Sequence, residues 1–251
     1  LVGEEQGKII KIADEIYEEA NHGESAEVLK NYRIYTINGG ISRYQDICFL
    51  IQNAKGGLSI QKVSANPEVT ENNKNYSLAG AVYGIYKDDS CTNEIMTMTT
   101  NEEGYGATGD EVLESGTYYV KEKVPSQGYL LDTQIYTYEI AGGITAQENQ
   151  KNSKEPPKKG RIVLEKTSAV LEITNGNACY SLEGAEYVVY KNKECTEPVT
   201  KIVTNSKGNG TSDTIPLGEY YVKETKAPEG YEKNEQIYPV YLGEGEEAVI
   251  S

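Results

Sequence analysis

The sequence predicts a mainly β protein in which two tandem β-sandwiches follow a small α+β segment at the N-terminus. Three observations support this fold class. First, the chain of 251 residues contains 21 Tyr and 25 Gly but one Phe and no Trp. Tyrosine-rich runs separated by Gly and Asn turns are typical of β-structure with one solvent-facing side. The other two observations are a long internal repeat and a helix-forming pattern confined to the first 56 residues.

The first 56 residues contain one predicted helix and two predicted strands. Apolar residues recur at helical spacing in GKIIKIADEIYEEA (7–20), which predicts an amphipathic helix. The runs NYRIYTI (31–37) and YQDICFLIQ (44–52) are predicted to form two strands after it.

Most of the remaining chain consists of two copies of one pattern. For example, YSLAGAVYGIYKDDSC (76–91) matches YSLEGAEYVVYKNKEC (180–195). Each copy has the length of an ordinary domain, and about seven short strands joined by turns predict a β-sandwich in each. The predicted boundaries are residues 57–152 for the first domain, 153–160 for a polar linker and 161–251 for a second domain that is incomplete at its C-terminal end.

Charge and hydropathy exclude some classes of function. Asp and Glu outnumber Lys and Arg by 39 to 24, a formal net charge of −15. This argues against a nucleic-acid partner, because phosphate binding depends on clustered Lys and Arg. No apolar run approaches the ~20 residues of a membrane span. The chain begins with Leu and shows no signal peptide, so we interpret it as a segment of a longer protein.

Each repeat places one glutamate on the side of a strand that should face the core. In GTYYVKE (116–122), Glu122 shares its parity with Tyr118 and Val120, and Glu224 has the same position in the second copy. Successive side chains of a strand point to opposite faces. Because burying an unpaired carboxylate is costly, each glutamate is expected to have a partner.

A lysine in each repeat is the predicted partner. Lys62 shares its parity with the apolar residues of LSIQK (58–62), and Lys166 does so in IVLEK (162–166). One alternative is that the lysine ends its strand and reaches water or forms an ordinary ion pair. If both groups are buried, their neutral forms are favoured. A neutral amine is a nucleophile, and a protonated Glu can polarise the carbonyl of a nearby Asn, so an amide could form with loss of ammonia.

These residues resemble a known family. The segments GTYYVKEKVPSQGY and GEYYVKETKAPEGY are similar to the E-box motif of the Cna B-type, prealbumin-like domains of Gram-positive surface adhesins and pili. The resemblance implies immunoglobulin-like sandwiches, each closed by an intramolecular Lys–Asn isopeptide bond. On that pattern Lys62 is the amine and Glu122 the catalytic acid/base of the first repeat, and Lys166 and Glu224 have these roles in the second.

The family pattern places the acceptor, an Asn or Asp, on the last strand of the domain. In ITAQENQKN (144–152), Asn149 is favoured because it is nearer the strand, and Asn152 stays open because it is nearer the linker. In the second repeat the position equivalent to Asn149 is Ser251, which has no amide. We therefore expect either an acceptor outside these residues or no bond, with a less stable second domain.

A fainter resemblance concerns the N-terminal segment. Residues 31–65 are similar to the end of a thioester adhesin domain that runs into the first strand of a B-type domain. The reactive Cys and Gln of such domains are not recognisable, so no catalytic role is assigned to Cys48 or Gln52.

Cysteines and acidic clusters were considered separately. Cys179 and Cys195 are predicted to form a disulfide in an extracellular protein, with free thiols as the alternative. Cys48 and Cys91 would pair only if the N-terminal segment folds back. With one His and no CxxC spacing, neither a metal site nor a cofactor is expected, and acidic clusters such as YKDDS are predicted to be solvated loops, a weak calcium site remaining open.

The resemblance implies an extracellular stalk or adhesin segment on a Gram-positive bacterium, attached to the cell wall through a missing C-terminal region. It would crosslink itself once and would not be an enzyme with an external substrate. The alternative is a β-sandwich that binds a host surface protein or glycan, to which exposed tyrosines such as Tyr105 and Tyr129 would contribute.

Overall fold

The computed structural model describes residues 32–37, 47–52, 55–245 and 247–250. The helix expected at 7–20 lies outside the described residues. The chain divides into two compact units. Of the described residues, the first unit comprises those up to 63 with 78–126 and 131–155, and the second comprises 64–77, 127–130 and those from 156 onward.

The two strands expected in the N-terminal segment are confirmed. Strands β1 (Tyr32–Ile37) and β2 (Ile47–Gln52) pair in antiparallel register, with Tyr32 opposite Gln52 and Ile37 opposite Ile47. Cys48 and Gln52 both belong to β2.

The first sandwich consists of a three-stranded and a four-stranded sheet. The three-stranded sheet has the order β6-β3-β9 and the four-stranded sheet the order β5-β4-β7-β8. Buried side chains from both sheets form one apolar cluster, so the mainly β sandwich fold is confirmed. Its strands are β3 (Ser59–Ser64), β4 (Val82–Tyr86), β5 (Glu94–Thr99), β6 (Tyr105–Ala107), β7 (Gly116–Val124), β8 (Ile135–Ile140) and β9 (Gln150–Glu155). The short helix α1 (Pro67–Thr70) follows β3 in the chain and belongs to the second compact unit.

The second sandwich repeats this plan. Its first strand pairs antiparallel with β13 and β14 and parallel with β17, and its other sheet has the order β12-β11-β15-β16. The elements are β10 (Lys159–Glu165), α2 (Leu171–Thr174), β11 (Glu186–Tyr190), β12 (Pro198–Val203), β13 (Asn209–Thr211), β14 (Ile215–Pro216), β15 (Gly218–Lys226), β16 (Ile237–Leu242) and β17 (Glu247–Ile250).

In the core of the first sandwich, tyrosine side chains fill positions that large apolar side chains would otherwise occupy. Along β8, Tyr136, Tyr138 and Ile140 are buried, while the residues between them are exposed. The hydroxyl of Tyr138 donates to the backbone oxygen of Ser59 at 2.7 Å, so its polar end is satisfied inside the core. Burial of a tyrosine is favourable when its hydroxyl group makes a hydrogen bond of this kind.

The segment predicted as a linker, 153–160, is largely β-structure. Strand β9 continues to Glu155 and β10 begins at Lys159, which leaves residues 156–158 between them. Ser153 and Glu155 are buried and Lys154 is exposed. The alternation is that of a strand whose inward face is polar, which composition alone does not distinguish from a linker.

The structure does not contain the predicted disulfide. Cys179 and Cys195 are free thiols, as is Cys91. Cys179 precedes β11 and Cys195 follows it, in a turn where its φ is +54°. A five-residue strand spans about 13 Å between its end Cα atoms, whereas disulfide-bonded Cα atoms are usually less than about 7 Å apart.

Tyr129 does not have the exposure that was expected of a ligand-binding residue. Its side chain is 2% exposed and packs edge-on against Tyr76, with ring centroids 5.8 Å apart. Tyr105 is half-buried at the start of β6. Tyr129 is therefore a packing residue.

A glycine turn fixes the backbone at Lys62. The Lys62 N–H donates to the Gly104 oxygen at 2.8 Å, and Gly104 has a φ of +80°. A Cβ on Gly104 would overlap the carbonyl oxygen of Lys62. The second repeat preserves this arrangement, since Lys166 N–H donates to the Gly208 oxygen at 2.8 Å and Gly208 has a φ of +81°.

We predict that Gly104→Ala destabilises the first domain more than Gly80→Ala does. Gly80 is the matched control because its φ is +86° but a Cβ there would meet no atom within 4 Å. Left-handed backbone alone costs an alanine about 1–2 kcal/mol, and Gly104→Ala adds the overlap with Lys62. Urea unfolding of both variants measures the difference, and equal losses of stability would contradict the explanation.

Candidate functional site

Strand β3 places Lys62 in the core of the first sandwich. Leu58, Ile60 and Lys62 are each 0% exposed, so the lysine continues the buried face of the strand. Its ammonium does not reach solvent at the end of the strand.

Glu122 faces Lys62 from the opposite sheet. It is 1% exposed on β7, and its Oε1 lies 3.1 Å from Lys62 Nζ. The other oxygen, Oε2, accepts the backbone N–H of Asp132 at 2.6 Å. A register shift in β4 between Val82 and Tyr83 places Tyr83 directly opposite Glu122. The sheet is thus irregular at the point where it carries the charged residue.

A second carboxylate, that of Glu155, also contacts Lys62. Glu155 is 0% exposed near the end of β9, and its Oε2 touches Lys62 Nζ. Its Oε1 accepts hydrogen bonds from the hydroxyls of Tyr83 and Ser153, each at 2.8 Å. Sequence reasoning missed Glu155. The signal that could have found it is the two-residue alternation with Ser153 on the last strand.

Asp132 links Glu122 to the hydroxyl groups of Tyr136 and Ser153. Its Oδ2 accepts the hydroxyl of Tyr136 at 2.6 Å and lies 3.0 Å from Ser153 Oγ. The single hydroxyl proton of Ser153 can serve Asp132 or Glu155, one at a time. Asp132 therefore holds Glu122 through its backbone and Ser153 through its side chain.

Burial shifts the pKa values of Lys62, Tyr83 and Tyr136. Desolvation lowers the pKa of Lys62, and the nearby carboxylates of Glu122 and Asp132 oppose this in part. Burial also raises the pKa of Tyr83. Burial and the hydrogen bond to Asp132 raise the pKa of Tyr136 to about 12. Both tyrosines consequently remain hydrogen-bond donors at neutral pH, while the amine of Lys62 is more readily deprotonated than a surface lysine.

The structure places the two predicted acceptors, Asn149 and Asn152, away from Lys62. The amide nitrogen of Asn149 lies 3.4 Å from the Gly57 oxygen and 3.3 Å from the Glu139 oxygen, near the beginning of β3. Asn152 is exposed because it has the opposite parity to the buried residues of β9. The residue of β9 at the lysine is Glu155.

The second domain contains the same lysine and glutamate. Lys166 Nζ lies 3.0 Å from Glu224 Oε1 and 3.3 Å from the hydroxyl of Tyr187. Glu224 Oε2 accepts the backbone N–H of Asn234 at 2.6 Å, as Glu122 accepts that of Asp132. The side chains of Lys166 and Glu224 are 11% and 0% exposed.

The described part of β17 ends before it reaches Lys166. Its residue Ile250 is in register with Leu164, two positions before the lysine. Ser251, the residue equivalent to Asn149, lies outside the described residues. In the described structure, Lys166 and Glu224 form an ion pair.

The acidic residues of the described ranges do not form a metal site. There, no group of three or more His, Cys, Asp and Glu side chains could hold a metal ion. The carboxylate of Asp88, in the predicted loop YKDDS, accepts the backbone N–H groups of Thr92 and Asn93 at 3.0 and 2.6 Å and so stabilises its own turn. Within the same ranges, no helix has the length and apolar character needed to cross a membrane.

Comparison with protein families identifies the two sandwiches. The SpaA prealbumin-like fold domain family matches residues 58–154 and 168–251, well over half of the chain. The chain belongs to this family. The match to the first SpaA domain includes Lys62 and Glu122, and the match to the second includes Glu224.

Solved structures are similar to this chain to different degrees. The Bacillus anthracis TIE protein is 24% identical with a TM-score of 0.55, over 88% of this chain and 40% of that protein. The C-terminal fragment of the pilus adhesin SpaC from Lactobacillus rhamnosus GG is 17% identical (TM-score 0.39; 77% of this chain, 84% of that one). The major pilin subunit BcpA of Bacillus cereus is 14% identical (TM-score 0.30; 78% and 98%). The fold likeness rests on the first comparison, and this chain spans two fifths of the length of the TIE protein. A comparison with curated proteins found no match.

We predict that the ion pair of the second SpaA domain stabilises it chiefly by keeping Glu224 paired. Lys166→Met leaves a fully buried carboxylate without its cation and should cost about 3 kcal/mol, the lower end of the range for broken buried pairs, since Lys166 is slightly exposed. Glu224→Gln should cost less, because the lysine can turn toward water.

The double variant Lys166→Met/Glu224→Gln is the control. It removes both charges and keeps an acceptor for the Asn234 N–H, so it should recover most of the loss. Urea unfolding of the second domain provides the measurement. A double variant as unstable as Lys166→Met would show that packing, and not the unpaired charge, causes the loss.

Proposed function

We propose that this chain is a structural segment of a stalk or adhesin on the surface of a Gram-positive bacterium, and that an intramolecular isopeptide bond made by Lys62 locks its first SpaA domain. The observation that supports this is the contact between a fully buried Lys62 and a fully buried Glu122. The surface location is inferred from the resemblance of the two E-box segments to adhesin and pilus domains. Attachment to the cell wall is assigned to parts of the protein outside these residues.

The chemistry follows from the cost of burying charge. An ammonium and a carboxylate in a dry core are each destabilised by the loss of hydration. Transfer of a proton converts the lysine to a neutral amine, which is a nucleophile. Glu122, 3.1 Å from the amine, can accept a proton from it and return that proton to the leaving group. Amide formation then removes the charge of Lys62 permanently.

The position of Lys62 suits a mechanical role. Lys62 is on β3, the first strand of the sandwich, and β9, the last strand, lies beside it in the same sheet. A bond from Lys62 to a side chain of β9 joins the strands at which the chain enters and leaves the domain. A pulling force then acts on a covalent bond instead of on hydrogen bonds between strands. Each molecule reacts once, and no external substrate is turned over.

We predict that the intact mass of the denatured protein is lower than the mass calculated from its sequence. The difference is one molecule of ammonia if the acceptor is an amide, or one molecule of water if it is a carboxyl group. Lys62→Met should have its full sequence mass, because the nucleophile is absent. Glu122→Gln should also have its full mass, because the amide cannot move protons. Mass spectrometry under denaturing, reducing conditions gives the result.

Lys166→Met is the matched control, since it changes the equivalent lysine of the second domain and should leave the mass loss intact. A second readout is the melting temperature, which should fall in Lys62→Met and Glu122→Gln relative to the native chain. A native chain with its full sequence mass would refute the proposed bond.

A further inference from the structure

We propose that the acceptor of this bond is the carboxyl group of Glu155, so that the first domain is closed by a Lys62–Glu155 isopeptide bond with release of water. This inference rests on the proposed function, and it replaces the asparagine acceptor that the family resemblance implies. It also gives roles to Tyr83 and Ser153, which the resemblance does not assign.

Lys62 and Glu155 lie side by side in the core. Lys62 Nζ touches Glu155 Oε2, and both residues are 0% exposed. They lie on adjacent strands of one sheet, so the reacting atoms are held together by the backbone pairing. The amide of Asn149 lies instead against the oxygens of Gly57 and Glu139, and Asn152 is on the exposed face of β9.

Hydrogen bonds distinguish the two carboxylate oxygens of Glu155. Its Oε1 is held by the hydroxyls of Tyr83 and Ser153, while its Oε2 faces the lysine. The two oxygens therefore have different environments. Oε1 becomes the carbonyl oxygen, and the two O–H donors stabilise the negative charge that develops on it as the amine attacks. Oε2 is the leaving oxygen.

The reaction balances without a further reactant. A proton passes from the Lys62 ammonium to Glu155 Oε2, giving a neutral amine and a carboxylic acid. The Nζ lone pair then attacks Cδ, and the Glu122 carboxylate takes one proton from the nitrogen. Glu122 returns this proton to Oε2 as the Cδ–Oε2 bond breaks and water leaves. An ammonium and a carboxylate have become an amide and water, and Glu122 is again a carboxylate.

The product fits the groups that surround it. The new amide N–H can donate to Glu122 Oε1, which already lies 3.1 Å from the nitrogen. Glu122 Oε2 keeps the Asp132 N–H at 2.6 Å, and the new carbonyl oxygen keeps Tyr83. Three buried charged groups become one, and that one retains two N–H donors. This relief of buried charge favours the crosslinked state.

The mass of the native chain tests this inference separately from the proposed function. Loss of one water supports both. Loss of one ammonia would support a crosslink to an amide side chain and overturn the assignment to Glu155. The full sequence mass would overturn both proposals. High-resolution intact-mass measurement of the denatured 251-residue chain distinguishes these three results.

Trypsin cleavage then locates the acceptor, because lysines separate the three candidates. Asn149 belongs to the peptide 124–151, Asn152 to 152–154 and Glu155 to 155–158. Lys62 is uncleaved when it is acylated and remains in the peptide 56–74. We expect 56–74 joined to 155–158. A join to either of the other peptides would overturn the assignment.

Variants at the acceptor complete the experiment. Glu155→Gln keeps the carbonyl carbon in the same place, but its leaving group is ammonia. The mass of this variant should therefore be lower than its own sequence mass by one ammonia instead of one water. Glu155→Ala should have its full mass. The control Asn149→Ala/Asn152→Ala should still be lighter by one water. A Glu155→Gln chain that still loses water, or a double Asn variant with its full mass, would overturn the proposal.

Discussion

The ammonium of Lys62 lies between the carboxylates of Glu122 and Glu155 inside the first sandwich, whose core is built mainly from apolar and tyrosine side chains. Such a group is stable only when each of its partners is itself satisfied, because ions lose their hydration on burial. The required donors come from the backbone of Asp132 and from the hydroxyls of Tyr83 and Ser153. The register shift in β4 and the turn at Gly104 position the sheets around this group. The register shift opposite Glu122 and the glycine turn at Lys62 therefore both lie at the buried charged group.

The sandwich topology determines what a crosslink at Lys62 would join. The first and last strands are neighbours in one sheet, and β7 carries Glu122 from the facing sheet. In the proposed reaction, the nucleophile, the acceptor and the proton carrier come from three strands that are far apart in sequence. They meet only after both sheets have assembled, so folding precedes the chemistry. The second domain repeats the lysine and the glutamate, and its described residues hold them as an ion pair.

Strand alternation predicted the parts of the site that depend on local pattern. The parity of Lys62 and Glu122 with their apolar neighbours was sufficient to place both in the core. In the second domain parity placed Glu224 in the core and left Lys166 partly exposed beside it. Glu155 was missed for two reasons. The family pattern implies an Asn or Asp acceptor, and the polar composition around Pro156 favoured a linker where β9 continues to Glu155. Its alternation with Ser153 was readable, but the partner that justifies burying it lies on another strand.

Contacts between distant segments could not be predicted in the same way. Cys179 and Cys195 flank β11 in the sequence and are free thiols in the structure, so the predicted disulfide is not formed. Tyr129 follows a turn and was expected at the surface, but it packs against Tyr76. In both cases the outcome depends on distances fixed by the assembled sheets, which local sequence does not encode.

The adjacency of β3 and β9 has a consequence for the unfolded chain. A bond between Lys62 and Glu155 would enclose the intervening segment in a covalent ring, which limits the conformations that remain accessible after denaturation. For a ring of this length, the lost conformational entropy of the unfolded state corresponds to roughly 4–5 kcal/mol. The denatured protein would be more compact than a linear chain of equal mass and would migrate differently in a denaturing gel. Refolding would begin from a chain in which the segments of the first and last strands were still joined by the covalent bond.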